Sequence, residues 1–107
     1  MKQKPVVRRR KADEDIEAAF AFYLSEAGTE IAADFINRFE EAIEHISRHP
    51  AIGSPRYGHY LLVSGLRHWP INRFPYLIFY IEKDKHIELA RVLHGRMDIP
   101  TQLNDIE

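Results

Sequence analysis

The sequence contains no cysteine among its 107 residues. That excludes a disulfide framework and any thiolate metal site, and it fits a reducing compartment. Long apolar runs are missing too. No stretch approaches the roughly 18 apolar residues of a membrane span. The opening "MKQKPVVRRRKADEDI" is basic but has no apolar core of about 7–15 residues, so it does not read as a secretory leader. The chain is expected to be cytoplasmic and to leave the membrane alone. Charge of one sign is also lacking, because the formal net charge is −1. A protein that grips nucleic acid along its backbone normally carries a clear basic excess, so direct nucleic-acid binding is not expected. There is no GxGxxG, no Gly-Lys-Ser/Thr phosphate loop and no serine in a nucleophile elbow. Nothing here implies a cofactor.

Metal chemistry has little to work with. The six histidines are His45, His49, His59, His68, His86 and His94, and none forms an HExxH pair. His45 and His49 could share a helix face, but no third ligand is near them in sequence. Surface histidines are the better account, and no metal site is expected. Glu40 and Glu41 are adjacent. Neighbouring helix positions diverge by about 100°, which makes them a poor acid–base dyad.

What is present suits one small globular domain spanning 1–107, with 45% apolar residues. The near-zero total hides a segregated charge. Lys2, Lys4, Arg8, Arg9, Arg10 and Lys11 come first. From Asp13 to Glu44 the chain is acidic, with only Arg38 against it. From Arg48 to Arg96 the balance is basic again.

The periodicity places the elements. Val6 and Val7 favour a short strand over Pro5–Arg10. Ile16, Ala19, Phe20, Tyr23 and Leu24 then recur on one helical face. Gly28 stops that helix and Thr29 is the expected N-cap of the next. Ala32, Phe35, Ile36, Phe39, Ala42, Ile43 and Ile46 continue the spacing to about His49, where Pro50 disfavours helix. Two such helices make an antiparallel hairpin. Residues Ala51–Ser64 read as a loop. Strands follow at Leu66–Ile71, Tyr76–Glu82 and Ile87–Leu93, with Lys83-Asp84-Lys85 as a tight hairpin turn. Pro70 cannot donate to a ladder, so it and Trp69 belong on an edge strand. A short turn or helix is expected over Asp98–Ile106.

The fold class is therefore α+β: an N-terminal strand, a helical hairpin, then a three-strand antiparallel meander in one sheet. A parallel sheet, or helices on both faces, is not expected. Alternation sets Leu77, Phe79 and Ile81 against Tyr76, Ile78 and Tyr80, and groups Ile87, Leu89, Arg91 and Leu93 against Ala90 and Val92. Both sheet faces are apolar, and the hairpin covers one. The loop, the tail or a partner chain must shield the other.

The chemistry-bearing residues gather late in the chain: Arg67, Arg73, Arg91, His94 and Arg96. Arginine and histidine together could cleave RNA, the one stabilising phosphate charge and the other moving a proton. The same residues could equally hold an acidic partner peptide.

The stretches "ADEDIEAAFAFY", "AADFINRFEEAIEHISRHPAIGSPR" and "GLRHWPINRFPYLIFYIEKDKHIELARVLHGRMD" resemble the RelE/ParE toxin superfamily of type II toxin–antitoxin systems. Nearly the whole chain takes part, and the likeness is nearest to the ParE, or plasmid-stabilisation, branch. The resemblance implies the fold given above. One departure is Arg9-Arg10, where relatives often carry Ser-Pro at the first helix. The RelE-like branch implies a ribosome-dependent messenger-RNA endoribonuclease, which here would have to use Arg67, Arg91, His94 and Arg96. The ParE-like branch implies a poison of DNA gyrase with no catalytic residues. Leu77 stands where nuclease members tend to have arginine, and no tyrosine follows Tyr80. These points favour the gyrase reading, with a non-toxic binding module as a further alternative. The resemblance also implies a cognate, ParD-like antitoxin with a flexible acidic tail. Its expected contacts, and those of the target, are Arg67, Arg73, Tyr76, Tyr80, Arg91, His94 and Arg96.

Overall fold

The computed structural model describes residues 3–104 and 106 of the chain. Strand β1 is Val6–Arg8. Helix α1 runs Arg10–Ala27 and α2 runs Thr29–Arg48. The strand is shorter than expected because Arg9 already caps the helix and Arg10 lies inside it. One residue, Gly28, ends α1 and begins α2. Its φ of +94° lies in the region glycine enters without a Cβ clash. Its N–H donates to the Tyr23 carbonyl at 3.1 Å, and its own carbonyl accepts from Ala32 N–H at 3.1 Å. The expected N-cap, Thr29, is instead the first helical residue. The turn is a single residue long, so the glycine serves both ends.

Residues 51–64 are more ordered than a loop. A 3₁₀ turn spans Pro50–Ile52 and a short helix, α3, spans Arg56–Leu61. Strands β2 (Leu66–Pro70), β3 (Tyr76–Glu82) and β4 (Ile87–His94) follow, then α4 (Ile99–Gln102). Helix α4 lies within the short turn or helix expected over 98–106, of which residue 105 lies outside the described residues.

The sheet order is β1-β4-β3-β2. The meander is antiparallel, and β1 joins β4 in parallel, so one pair of the sheet departs from the expected pattern. Trp69 and Pro70 are on the edge strand as expected. That edge is closed to further pairing. Leu66 N–H reaches the Val63 carbonyl at 3.3 Å, His68 exchanges two hydrogen bonds with Ser54 at 2.9 and 3.0 Å, and Pro70 has no N–H. Natural sheets guard their edges in such ways against pairing with another chain.

A bulge changes the expected facing of β4. Phe79 pairs with Arg91 but Tyr80 pairs with Leu89, so Ala90 is an extra residue. An added residue flips the alternation beyond it. Val92 therefore joins Ile87 and Leu89 under the hairpin, whereas Leu93 lies with Phe79 and Ile81 on the opposite face. Arg91, in register with Phe79, leaves the face it was expected to share with Ile87 and Leu89.

Ala12, Ile16 and Ala19 of α1 and Phe35, Phe39, Ala42 and Ile46 of α2 bury the first face. The second face is buried by the chain itself. Tyr57, Leu61 and Val63 cover it from α3 and its exit, and Ile99, Leu103 and Ile106 from the tail. Two short helices thus lie on the face where none was expected. Both of the chain's own candidates for that cover, the loop and the tail, are used.

Tyr80 fixes how the 3₁₀ turn meets the sheet. It is fully buried, its hydroxyl donates to the Pro50 carbonyl at 2.7 Å, and it accepts from Gly53 N–H at 2.9 Å. Burial raises its pKa, against the lowering pull of the Gly53 hydrogen bond and Arg67. A Cβ on Gly53 would lie 2.5 Å from that hydroxyl and 2.8 Å from the His68 carbonyl. The "HPAIG" segment therefore needs its glycine for close approach. Tyr80→Phe should leave a buried N–H and C=O without their partner and lower stability by about 1–3 kcal/mol. Urea unfolding should show a lower midpoint with an unchanged slope.

Candidate functional site

Three of the seven expected contact residues are committed inside the fold. Tyr80 is buried as described, so it does not face a partner. Arg67, on β2, donates to the Gly53 carbonyl at 2.8 Å and to the Ala51 carbonyl at 3.3 Å. It ties the 3₁₀ turn to the sheet from outside while Tyr80 ties it from within. Arg91 grips Asp15 of α1 with two hydrogen bonds, Nε to Oδ2 at 2.8 Å and a terminal nitrogen to Oδ1 at 3.0 Å. It also donates to the Gln102 carbonyl at 3.1 Å. The two side chains are only 13% and 15% exposed.

The other four come together at one end of the sheet. Tyr76 and His94 are register partners, with ring centroids 5.1 Å apart in an edge-on arrangement. Gly95 N–H donates to the Pro75 carbonyl at 2.7 Å and holds the exit of β4 against the entry of β3. Arg73 sits in the β2–β3 turn with φ +72°, and Arg96 follows His94 by two residues. Both side chains are exposed and make no ion pair or hydrogen bond among the described residues. Beneath them Tyr76 packs on Tyr23 and Phe35 with centroids 6.2 and 5.5 Å away, and Phe74 packs on both of those rings. Burial, and to a lesser degree Tyr23, raises the Tyr76 pKa. This end of the sheet thus combines a largely buried aromatic cluster with two exposed arginines in the adjoining turns.

His94 Nδ1 accepts the Arg96 backbone N–H at 3.1 Å. Its neutral ring therefore carries its hydrogen on Nε2. In that form the outer nitrogen donates, so the ring is poorly set to take a proton as a general base. Arg67 and Arg91, the other arginines of a nuclease set, are spent on carbonyls and on Asp15. The arrangement is suited to holding a carboxylate or carbonyl group of a partner.

Sequence reasoning did not single out Asp15. A signal was there: Ala12, Asp15, Ile16 and Ala19 have the i, i+3, i+4, i+7 spacing, so an acid occupies a stripe position. Arg9 was noted only as a departure at the helix cap. Its side chain makes no cap; it bonds Glu88 at 2.7 Å and the Ile106 carbonyl. The bond from Arg9, and after it the one from His86, lowers the Glu88 pKa. His45 and His49 lie 5.5 Å apart by ring centroid, and His45 leans on Trp69. No cluster of three metal-ligating side chains occurs among the described residues.

Comparison with known proteins gives a consistent answer. The family model described as the ParE toxin of the type II toxin–antitoxin system parDE matches residues 6–99. Toxin ParE3 of Caulobacter vibrioides is 28% identical over 98 residues, covering 92% of this chain and 93% of that one. Toxin ParE1 of the same organism is 29% identical over 104 residues, covering 94% and 98%. A solved structure titled as a chromosomal ParDE system from P. aeruginosa matches with a TM-score of 0.73 at 22% identity, over 86% of this chain and 96% of that chain. The last match speaks for the fold.

Two outcomes test this account of the site. Asp15→Ala should take the carboxylate away from Arg91 and leave the Val92 N–H without its acceptor, at a cost of about 1–3 kcal/mol. Urea titration would read that loss, and Glu17→Ala, at an exposed position of the same helix, is the control. The second concerns His68, whose pKa is lowered by burial and then by Arg56, and whose buried Nδ1 has no partner among the described residues. The unfolded chain binds this proton more readily than the folded one. The stability that depends on a neutral His68 is thus present above the ordinary histidine pKa and is lost as pH falls below it. Between about pH 7.5 and about pH 5.5, wild type should lose more stability than His68→Phe does. Equal losses in the two proteins would remove the assignment.

Proposed function

Since the chain belongs to the ParE toxin family of type II toxin–antitoxin systems, we propose that it acts by binding and inhibiting DNA gyrase. A cognate, ParD-like antitoxin neutralises it. The setting is the cytoplasm; no helix among the described residues is long and apolar enough to cross a membrane.

One observation carries the choice of binding over catalysis. The arginines a nuclease would use are engaged in the fold, Arg67 with the Gly53 carbonyl and Arg91 with Asp15. The lone histidine of the set, His94, has its inner nitrogen occupied by Arg96 N–H. What remains exposed is a surface for recognition. We assign the end formed by Arg73, Tyr76, His94 and Arg96 to the acidic tail of the antitoxin. Arg91 is not part of it, because a guanidinium held by Asp15 is not offered to a partner. The aromatic cluster supplies apolar area and the two guanidinium groups set orientation. A tail disordered before it binds would fold on contact.

The test is induced expression of the chain with and without the antitoxin, followed by gyrase supercoiling and cleavage assays. Growth arrest with filamentation, accumulated cleaved DNA and rescue by the antitoxin is the expected result. His94→Ala should arrest growth as wild type does. Arg73→Glu combined with Arg96→Glu should weaken antitoxin binding by about tenfold or more. Arrest with unimpaired gyrase and cleaved messenger RNA, abolished by His94→Ala, would replace this reading with the ribonuclease. The absence of arrest would point to the non-toxic binding module.

A further inference from the structure

The corner where α3 gives way to β2 contains a feature that the fold does not require. Leu62 ends α3 with φ +58°, in the left-handed region. A bulky side chain seldom sits there, because its Cβ crowds the next carbonyl. Three residues later the chain takes φ +78° at Gly65, where glycine avoids that crowding. Leu62 returns nothing to the core, since it is 87% exposed. Tyr60, two residues earlier, is 72% exposed. Folding alone favours glycine or asparagine at such a helix end. A strained, solvent-facing leucine is better explained by something it touches.

The surroundings say what that is. Beside Leu62 lies an open groove lined by Pro55, His59, Val63, Leu66 and Arg67. From His45 to Ile81 the sequence has no aspartate or glutamate, and two of its arginines, Arg56 on α3 and Arg67 in the groove wall, belong to this corner. Arg56 lies over the Tyr57 ring, 5.1 Å from its centroid, with no ion pair among the described residues. The nearest acid along the sheet, Glu82, follows the register partner of Leu66 and is held by Lys4 at 2.7 Å. The corner is thus apolar at its centre, with Arg56 as the open cation at its rim and no carboxylate among the residues that line the groove.

We propose that this corner is the contact surface for the toxin's protein target. The matching partner is an acidic segment that seats an apolar side chain beside Leu62 and sets its carboxylates against Arg56 and the groove. The inference rests on the reading of the chain as a toxin that binds rather than cuts. It places target and antitoxin contacts at opposite ends of β3, since Leu66 pairs with Ile81 and Tyr76 with His94. Nucleic acid fits the corner less well. Arg48 is paired with Glu44 at 3.0 Å and Arg67 with carbonyls, which leaves far fewer open cations than the roughly six to ten phosphate contacts of a DNA-binding protein.

The decisive variant is Leu62→Gly. Glycine accepts the left-handed conformation, so the fold should survive and the melting temperature should hold. Wild type, Leu62→Gly and Leu62→Asp are compared in three assays. These are growth arrest on induction, inhibition of purified gyrase, and titration with the antitoxin. Both variants should keep antitoxin affinity within about twofold, because the two surfaces are well separated. Both should lose potency in arrest by about tenfold or more, with Leu62→Asp the weaker, because its charge opposes an acidic partner. If wild type arrests growth and Leu62→Gly arrests it equally, the inference falls and the toxin reading stands. If antitoxin affinity drops as far as potency, the corner belongs to the antitoxin and the inference also falls. Salt-sensitive binding of a short DNA duplex that Arg56→Ala abolishes would replace the protein target with nucleic acid. If wild type arrests nothing, the toxin reading and this inference fall together.

Discussion

The carboxylate of Asp15 holds three parts of the molecule in one place. Strand β1 is three residues long and covers β4 only as far as Leu89. Beyond that point the outer edge of β4 would face α1 with its N–H groups unpaired, at a cost that buried donors do not tolerate. Asp15 Oδ2 accepts the Val92 N–H at 2.9 Å and so does the work of the missing strand. The same carboxylate accepts from Nε and one terminal nitrogen of Arg91, whose other terminal nitrogen reaches the Gln102 carbonyl in the tail. The bulge at Ala90 makes this possible, because it turns Arg91 out of the hairpin's face and toward the tail. Helix, sheet and C-terminal segment therefore meet at one acid. An apolar pair could fill that volume, but it could not satisfy the Val92 N–H.

Arginine repeats this role elsewhere. Arg9 reaches the Ile106 carbonyl, Arg67 the Gly53 carbonyl, and Arg91 the Gln102 carbonyl. Each stitches an irregular segment to regular structure. A planar group with several donors and no proton to lose suits that task, since irregular backbone offers carbonyls that no ladder satisfies. The basic character of the C-terminal half is for this reason partly internal. Where no carbonyl or carboxylate among the described residues answers, as at Arg56, Arg73 and Arg96, positive charge remains for another molecule.

The sequence made the architecture legible wherever burial has a simple period. Both long helices, the three meander strands and the edge position of Pro70 follow from spacing and from proline's missing donor. Periodicity failed where one residue broke it. The extra Ala90 moved Leu93 and Arg91 to the opposite face, and alternation carries no mark of such an insertion. Helix α3 and the 3₁₀ turn before it were hidden for another reason. Gly53, Pro55 and Gly58 read as loop residues, yet each glycine is there for closeness rather than freedom. A Cβ on Gly58 would stand 2.5 Å from the Leu66 carbonyl. The site was half visible. Residue type picked out Arg73, Tyr76, His94 and Arg96, which do converge. It could not separate them from Arg67, Tyr80 and Arg91, because exposure depends on partners distant in sequence, such as Asp15 and Pro50.

The two covers of the sheet differ in what sustains them. The hairpin helices are long, amphipathic and joined by a one-residue turn, so they pack as a unit with local contacts. Helices α3 and α4 have six and four residues. Neither length suffices for a helix to persist alone in water. They exist because Val63, Ile99 and Leu103 are buried, and Leu61 half-buried, against Phe79, Ile81 and Leu93. Asp98 caps α4, with its side chain accepting from Thr101 N–H and hydroxyl. Such a cap contributes about 1 kcal/mol and cannot by itself hold a single turn against the entropy of ordering it. The second layer is thus only as stable as the apolar face beneath it, plus the arginine links at Gly53, Gln102 and Ile106. Local opening should begin in that layer and leave the hairpin and the central strands intact. The strained Leu62 sits at the outer margin of the same layer, where left-handed backbone costs the global fold least.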